Sequence, residues 1–477
     1  MTRPFHQMRL QAVLVGLCVV CGLSSAVVAE DAHSIGETAA SLRDEALKST
    51  LAWDLLESLT VEVGHRFAGS AGDRAAVAWA LAKMKELGLE NVRAEAVTVP
   101  RWVRGEARGR TVSPFPQEMS LLALGGSVGT PEAGIEAEVV EVAGLEELEE
   151  LADEEVTGKI VFFNKSMERA RDGRGYGQTV PIRGRGASAA ARKGAVAILI
   201  RSVGTGTHRF AHTGAMRYAE DAPEIPAAAL AVPDANVLEG QIRRGHPVRF
   251  HLYLGSRRLG DTQSANVVGE VVGRELADQI VLIGGHLDSW DVGTGAIDDG
   301  AGCAISLAAA KMISSLDRRP RRTIRVVLFA NEEFGLDGAE AYAKAHADEL
   351  ANHQLAIESD LGAGRVWRFA ARVEPGAIPQ VEEMARLVEP LEIEYQGDSA
   401  RGGADLRYLH SARVPVADLT QDATHYFDYH HTEDDTLNKV DPEALAQNLA
   451  AYAAVIYYAA ETAVSFFPAP ERPERGR

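Results

Sequence analysis

Four stretches of this chain end an apolar, β-branched run in residues that bind metals or move protons. "IVLIGGHLDSWDVGTGAIDDGAG" (280–302) offers His286, Asp288, Asp298 and Asp299, and "RVVLFANEEFGLDG" (325–338) offers Glu332 and Glu333. "AIESDLGAG" (356–364) offers Asp360, and "FDYHHTEDDT" (427–436) offers His430, His431, Glu433 and Asp434. One such residue at a strand end is ordinarily a cap or a turn former. Four strand ends with candidate ligands point to one shared centre, because sites in open α/β sheets form beyond the carboxyl ends of the strands. Imidazole and carboxylate together suit Zn²⁺ or a related divalent ion. Five ligands exceed what one tetrahedral ion with an open position needs. One carboxylate shared by two ions about 3.5–4 Å apart would use all five. Asp288, two residues after His286, is positioned to accept the spare ring N–H of that histidine and fix its tautomer. Glu332 and Glu333 would repel each other at a buried strand end unless cations compensate. Neighbouring side chains leaving a strand point apart, so spacing leaves open whether the two share a role.

The elements that must hold these residues follow from periodicity. Residues 36–60 read as one amphipathic helix, Ala71 to Leu87 as another, and Ala94 to Val99 as a strand. From residue 131 to 255 short strands and glycines dominate, as in "EAEVVEV", "GKIVFFN", "GAVAILIRS" and "PVRFHLYLG". After that, strand and helix alternate up to a final helix, Pro442 to Thr462, which indicates an α/β fold with a mostly parallel central sheet flanked by helices. The expected organisation is an N-terminal part of that domain at 30–130, a β-rich insert at 131–255, the remainder at 256–467, and a disordered tail at 468–477. Two motifs are set aside. "GGSVG" fits a serine-hydrolase pattern at Ser127 but lacks the strand–turn–helix context. The glycines of "DGRGYGQ" and "RGRGAS" do not open a helix after a strand and read as loop.

Charge and cysteine content narrow the function further. Residues 1–29 carry Arg3 and Arg9, an apolar core from Ala12 to Gly22 and small residues to Ala29, the pattern of a cleaved export signal. Without them the 49 basic residues fall to 47 against 68 acidic ones, so the net charge moves from −19 to −21. Such a balance argues against nucleic acid or an anionic membrane as partner. The same cut removes Cys18 and Cys21 and leaves Cys303 with no partner for an internal disulfide. A periplasmic or secreted protein of this kind must be stabilised by burial or bound metal.

"GGHLDSWD…GAIDDGAG", "NEEFGLDGA", "SDLGAG" and "HHTEDDT", in this order and at these separations, resemble metallopeptidase family 28, the dinuclear zinc exopeptidases. The resemblance implies two zinc ions per chain. His286 and Asp360 would hold the first, Glu333 and His431 the second, and Asp298 would bridge them, with a cis peptide after Asp298. It gives Glu332 the part of general base, taking a proton from the attacking water and passing it to the leaving amine. Asp288 is assigned as a catalytic residue beside His286. His430 stands where some relatives have an oxyanion-stabilising tyrosine, so an imidazole donor is implied there. If that imidazole must be protonated, activity should fall as pH rises through its pKa. The insert is similar to a protease-associated domain, and a homodimer is implied. Substrates are peptides, and carboxypeptidase, dipeptidase and aminopeptidase activities all remain open. "DSARGGADLRY" offers Arg401 and Arg407 for a terminal carboxylate and Asp405 for a free amine. A non-catalytic binding protein on this scaffold would be expected to have lost ligands, and none is missing.

Overall fold

A computed structural model of the chain describes residues 34–470, so the proposed signal and the last seven residues of the tail lie outside the described part. Two eight-stranded sheets organise it. The first runs Glu90–Val103, Arg257–Val271, Arg322–Phe329, Leu276–His286, His353–Glu358, Val416–Gln421, Val366–Arg372, Glu394–Tyr395. Its centre is parallel, from Arg322–Phe329 across to Val416–Gln421. The sheet is mixed: four of its seven pairings are parallel, as expected, while Glu90–Val103, Arg257–Val271 and Val366–Arg372 add antiparallel pairings on the flanks.

Burial explains why the centre reads as unbroken apolar runs. Every residue of Arg322–Phe329 and of His353–Glu358 is buried, as expected of a parallel sheet covered on both faces. Side chains alternate between the two layers. Val281 and Ile283 pack with helices Ala301–Ser314 and Pro442–Glu461, whereas Ile280 and Leu282 pack with Ala339, Tyr342 and Leu409 on the opposite face. Helix Ala301–Ser314 is apolar on all sides because it lies between the sheet and the helices Leu51–Glu62 and Pro442–Glu461.

Three boundaries differ from expectation. The helix read at 36–60 is two helices, 34–46 and Leu51–Glu62. The Ser49 hydroxyl accepts from the Leu51 amide and the Thr50 hydroxyl bonds Asp54, which restarts the helix. The second sheet, ordered Gln117–Met119, Ala107–Ser113, Arg249–Leu254, Ile135–Val142, Ile160–Phe163, Ala197–Arg201, Ala227–Leu230, Leu121–Ala123, draws three strands from before residue 131. The β-rich unit therefore begins near 107. Finally, the glycine-rich segment read as loop is a 19-residue helix, Arg174–Arg192. Its glycines serve close approach: a Cβ on Gly186 would stand 3.0 Å from the Phe163 ring, and one on Gly175 only 2.0 Å from the Glu168 carbonyl. Tertiary packing overrides their poor helix propensity. Ser127 is buried, accepts from the Ala227 amide and donates to the Val128 carbonyl, so it is structural.

Candidate metal centre

The carboxyl ends of the parallel strands converge. His286 ends its strand, Glu332 and Glu333 follow Phe329 by three and four residues, and Asp360 follows Glu358 by two. Asp298 sits in the kinked turn Ala296–Gly300 that feeds helix Ala301–Ser314, and the bond to Asp299 is cis. His431 follows the short helix Tyr426–Tyr429 beyond the strand Val416–Gln421 and adopts a left-handed φ of 62°.

The two oxygens of Asp298 face different partners. Oδ1 lies 3.2 Å from His286 Nε2, which is itself 3.6 Å from Asp360 Oδ1. Oδ2 lies 3.3 Å from His431 Nε2, which is 2.8 Å from Glu333 Oε2. Donor atoms of His286, Asp298 and Glu333 fall within 4.8 Å of one another, as do those of Asp298, His430 and His431, and those of His286, Asp299 and Asp360. All five expected ligands are therefore brought together, and Glu332 stands outside these groups. Glu333 Oε1 and Asp298 Oδ2 are buried without a hydrogen-bond partner. Such atoms are costly unless a cation satisfies them.

The electrostatics say the same. Burial, then Asp298, push the Glu333 carboxyl well above its usual range, with His286 opposing. Burial likewise pushes Glu332 up to about 8, helped by Asp360, Asp288 and Asp298 and opposed by His286. For Asp298 burial is outweighed by His286, His430 and Tyr426, which hold it below the ordinary carboxylate range. Carboxylates this crowded stay ionised together only beside positive charge.

Asp288 works differently from expectation. Its backbone carbonyl, not its carboxylate, faces His286 Nδ1 at 2.9 Å, while the carboxylate stands 3.7 Å away. Asp288 Oδ1 instead accepts the Glu332 amide at 3.0 Å, fixing the backbone that carries the glutamate pair. Asp299 is also spent on the backbone, accepting from the His286 and Gly302 amides. His430 lies beside the bridging candidate, its Nε2 3.6 Å from Asp298 Oδ2. Burial, with Arg183 and His212 adding to it and Asp298 opposing, pushes its imidazole down to about 3. A donor there is a neutral ring N–H, so no loss of activity with rising pH follows from it. Glu433 is exposed and Asp434 pairs with Lys439 at 2.9 Å, so neither joins the centre. Of the residues in "DSARGGADLRY", Asp405 is fully buried, whereas Arg401 and Arg407 are exposed.

Several supports carried no readable sequence signal. Asp435 accepts from the Ala296 and Ile297 amides at 2.7 and 2.8 Å and so shapes the turn that bears Asp298. From the second unit, the Thr213 amide donates to the His431 carbonyl, while the Thr213 carbonyl lies 3.2 Å from His431 Nδ1. His212 Nδ1 lies 2.8 Å from the His430 carbonyl. Arg169 and Thr205 both bind Asp428 in the same loop. Only the "DD" of 434–435 could have drawn attention to Asp435. Cys303 is buried with its thiol donating to the His286 carbonyl, and burial pushes that thiol's pKa up.

Comparison with known proteins agrees with this geometry. Residues 266–456 match the family described as "Peptidase family M28". Carboxypeptidase Q of Xenopus laevis is 39% identical over 399 residues, covering 84% of this chain and 83% of the relative. Carboxypeptidase Q of Homo sapiens is 36% identical, with 91% of each chain covered. The solved structure of a peptidase M28 precursor from Shewanella amazonensis is 50% identical with a TM-score of 0.91, covering 92% of this chain and 100% of that one. The zinc aminopeptidase BSAP from Bacillus subtilis shares the fold at 21% identity and a TM-score of 0.64, over 87% of this chain and 95% of its own. With its centre at the strand ends and relatives along most of its length, this chain belongs to peptidase family M28.

Proposed function

We propose that this peptidase is an exported dinuclear zinc exopeptidase that removes the C-terminal residue of dipeptides and short peptides. The observation that carries the metal count is Asp298, whose two oxygens divide between His286 with Asp360 and His431 with Glu333. The donor set is the nitrogen–oxygen set zinc takes. The partnerless buried oxygens of Asp298 and Glu333 fit it, as does a small cavity lined by Asp298, Glu333 and His431. When bound, two zinc ions supply Lewis acidity for the peptide carbonyl and acidify the attacking water.

The chain's own residues do the rest. Glu332 is partly buried beside the ligands but not committed to them, which suits a carboxylate that takes the water's proton and returns it to the leaving amine. Asp288 holds the Glu332 amide and thereby the direction of that carboxylate. His430, neutral and stacked on His431 with ring centroids 3.5 Å apart, is the candidate donor to the developing oxyanion.

Carboxypeptidase rather than aminopeptidase activity is favoured by the long matches to proteins named carboxypeptidase Q. Aminopeptidase activity is the second reading, with BSAP as the likeness behind it. We further read the unit from about 107 to 255 as a protease-associated-like insert, residues 1–29 as a signal, and the assembly as a homodimer. The test is a panel of short peptides with free or blocked termini, assayed with and without a chelator. Cleavage should need a free C-terminus and stop with the chelator. Chelator-resistant cleavage would sink the metal reading, and dependence on a free amine would move the assignment to aminopeptidase.

A further inference from the structure

A tyrosine and an arginine on helix Arg174–Arg192 of the second unit reach the loop that bears His430 and His431. The Tyr176 ring stacks on Phe427 with centroids 5.1 Å apart and stands edge-on to His430, also at 5.1 Å. Its hydroxyl accepts from Arg183 Nη2 at 2.6 Å. A hydroxyl carries one proton, and among the described residues no hydrogen bond takes the proton of Tyr176. The ring is partly exposed and lies in the field of Glu333 and Glu332. Burial outweighs Arg183 and keeps the phenol protonated.

Arg183 is one of several buried arginines held by backbone carbonyls, as Arg66 and Arg322 are, but it alone of these three lies against the loop of His430 and His431. It is 6% exposed, and among the described residues it forms no ion pair with a carboxylate. Its other contacts are the carbonyls of Ala215 and Thr213, at 3.3 and 3.4 Å, and His431 Nδ1 at 3.5 Å. A Cβ on Gly214 would strike the guanidinium, so the cation is walled in behind the tyrosine. The carbonyls and the Tyr176 hydroxyl solvate the guanidinium, but none of them carries a negative charge to neutralise it. A negative group bonded to the partly exposed Tyr176 would supply that charge.

We propose that Tyr176, backed by Arg183, receives the free terminal carboxylate of the bound peptide. Tyr176 donates the hydrogen bond, and Arg183 acts through it as a positioning residue that holds the hydroxyl oxygen and strengthens its donation. The second unit thereby supplies part of the substrate site. This assignment rests on the carboxypeptidase reading and deepens it by naming the group that reads the terminus.

The experiment uses the zinc-loaded full chain, one short peptide and its C-terminal amide. Wild-type preference for the free acid tests the carboxypeptidase reading. Its absence would overturn both that reading and this assignment. Given that preference, Tyr176→Phe should raise KM for the free acid about 10- to 100-fold. It should leave zinc content unchanged and cost the free acid far more than the amide, so the preference collapses. Retained preference, or equal loss on acid and amide as a general oxyanion donor would give, overturns the assignment alone. Arg183→Lys keeps the charge without the fork and should give a smaller rise in the same KM. No change there would also count against the pair, and it serves if Tyr176→Phe fails to fold.

Discussion

The two loops that carry the carboxylate pair and the histidine pair are held in opposite ways. The backbone around Glu332 and Glu333 is hydrogen-bonded mainly from within its own unit, although Phe334 packs against the second unit and Arg217 reaches the Gly335 carbonyl. Asp288 takes the Glu332 amide, and Asn266 bonds the Ala330 amide and the Gly338 carbonyl across the turn. The loop of His430 and His431 is fastened largely from the second unit, by His212, Thr213, Arg169 and Thr205. The hydrogen bonds that position the glutamate backbone thus come chiefly from the first unit, whereas those that position His431 come chiefly from the second. That gives the insert a physical reason to be in the chain beyond any surface it presents.

The sharpest way to test this contrast is Glu332→Gln. It should keep both zinc ions and lose about 10²–10⁴ in kcat, read by metal analysis beside steady-state kinetics; lost zinc would mean the two glutamates exchange roles. On the histidine side, His212→Leu removes the contact to the His430 carbonyl. It should weaken the ion at His431 and Glu333 by about 10- to 100-fold, with the ion at His286 and Asp360 unchanged in a metal titration. If both sites weaken equally, the division of labour between the units is wrong.

Asp435→Ala breaks a support from within the first unit. Two buried amides lose their acceptor, so denaturant unfolding should show a loss of about 1–3 kcal/mol. The smallest effect expected is a pH dependence at Asp428. Burial raises its pKa, but Arg169, His425 and Thr205 outweigh burial and hold the carboxyl below its ordinary value. A depressed folded-state pKa contributes stability above the unfolded value and loses it as pH falls through the folded one. The stability gap between wild type and Asp428→Asn should be constant above about pH 4 and shrink below it. A gap that widens on acidification would contradict the clamp.

Much of this was legible in the sequence because period and punctuation are local properties. The parallel strands showed as apolar runs, and all five candidate ligands stood beyond strand ends, where backbone direction delivers side chains to one edge of the sheet. Less legible was anything set by contact between distant segments. The glycines of 173–186 look like loop until the Phe163 ring and the Glu168 carbonyl show why no larger residue fits the helix there. Strands 107–123 look like a continuation of the first unit until their hydrogen-bond partners are known.

The sequence by itself thus determined the α/β class and the five residues that converge at the strand ends, and through family resemblance it suggested separate roles for Glu332 and Glu333. Tertiary structure decided which oxygen of Asp298 faces which histidine, that the carboxylate of Asp288 serves the Glu332 amide, and that Tyr176 and Arg183 stand beside His430 and His431. The physical reason is range. Side-chain type and spacing record what a residue can do, but a hydrogen bond spanning some 250 residues of chain exists only once the core has packed around it.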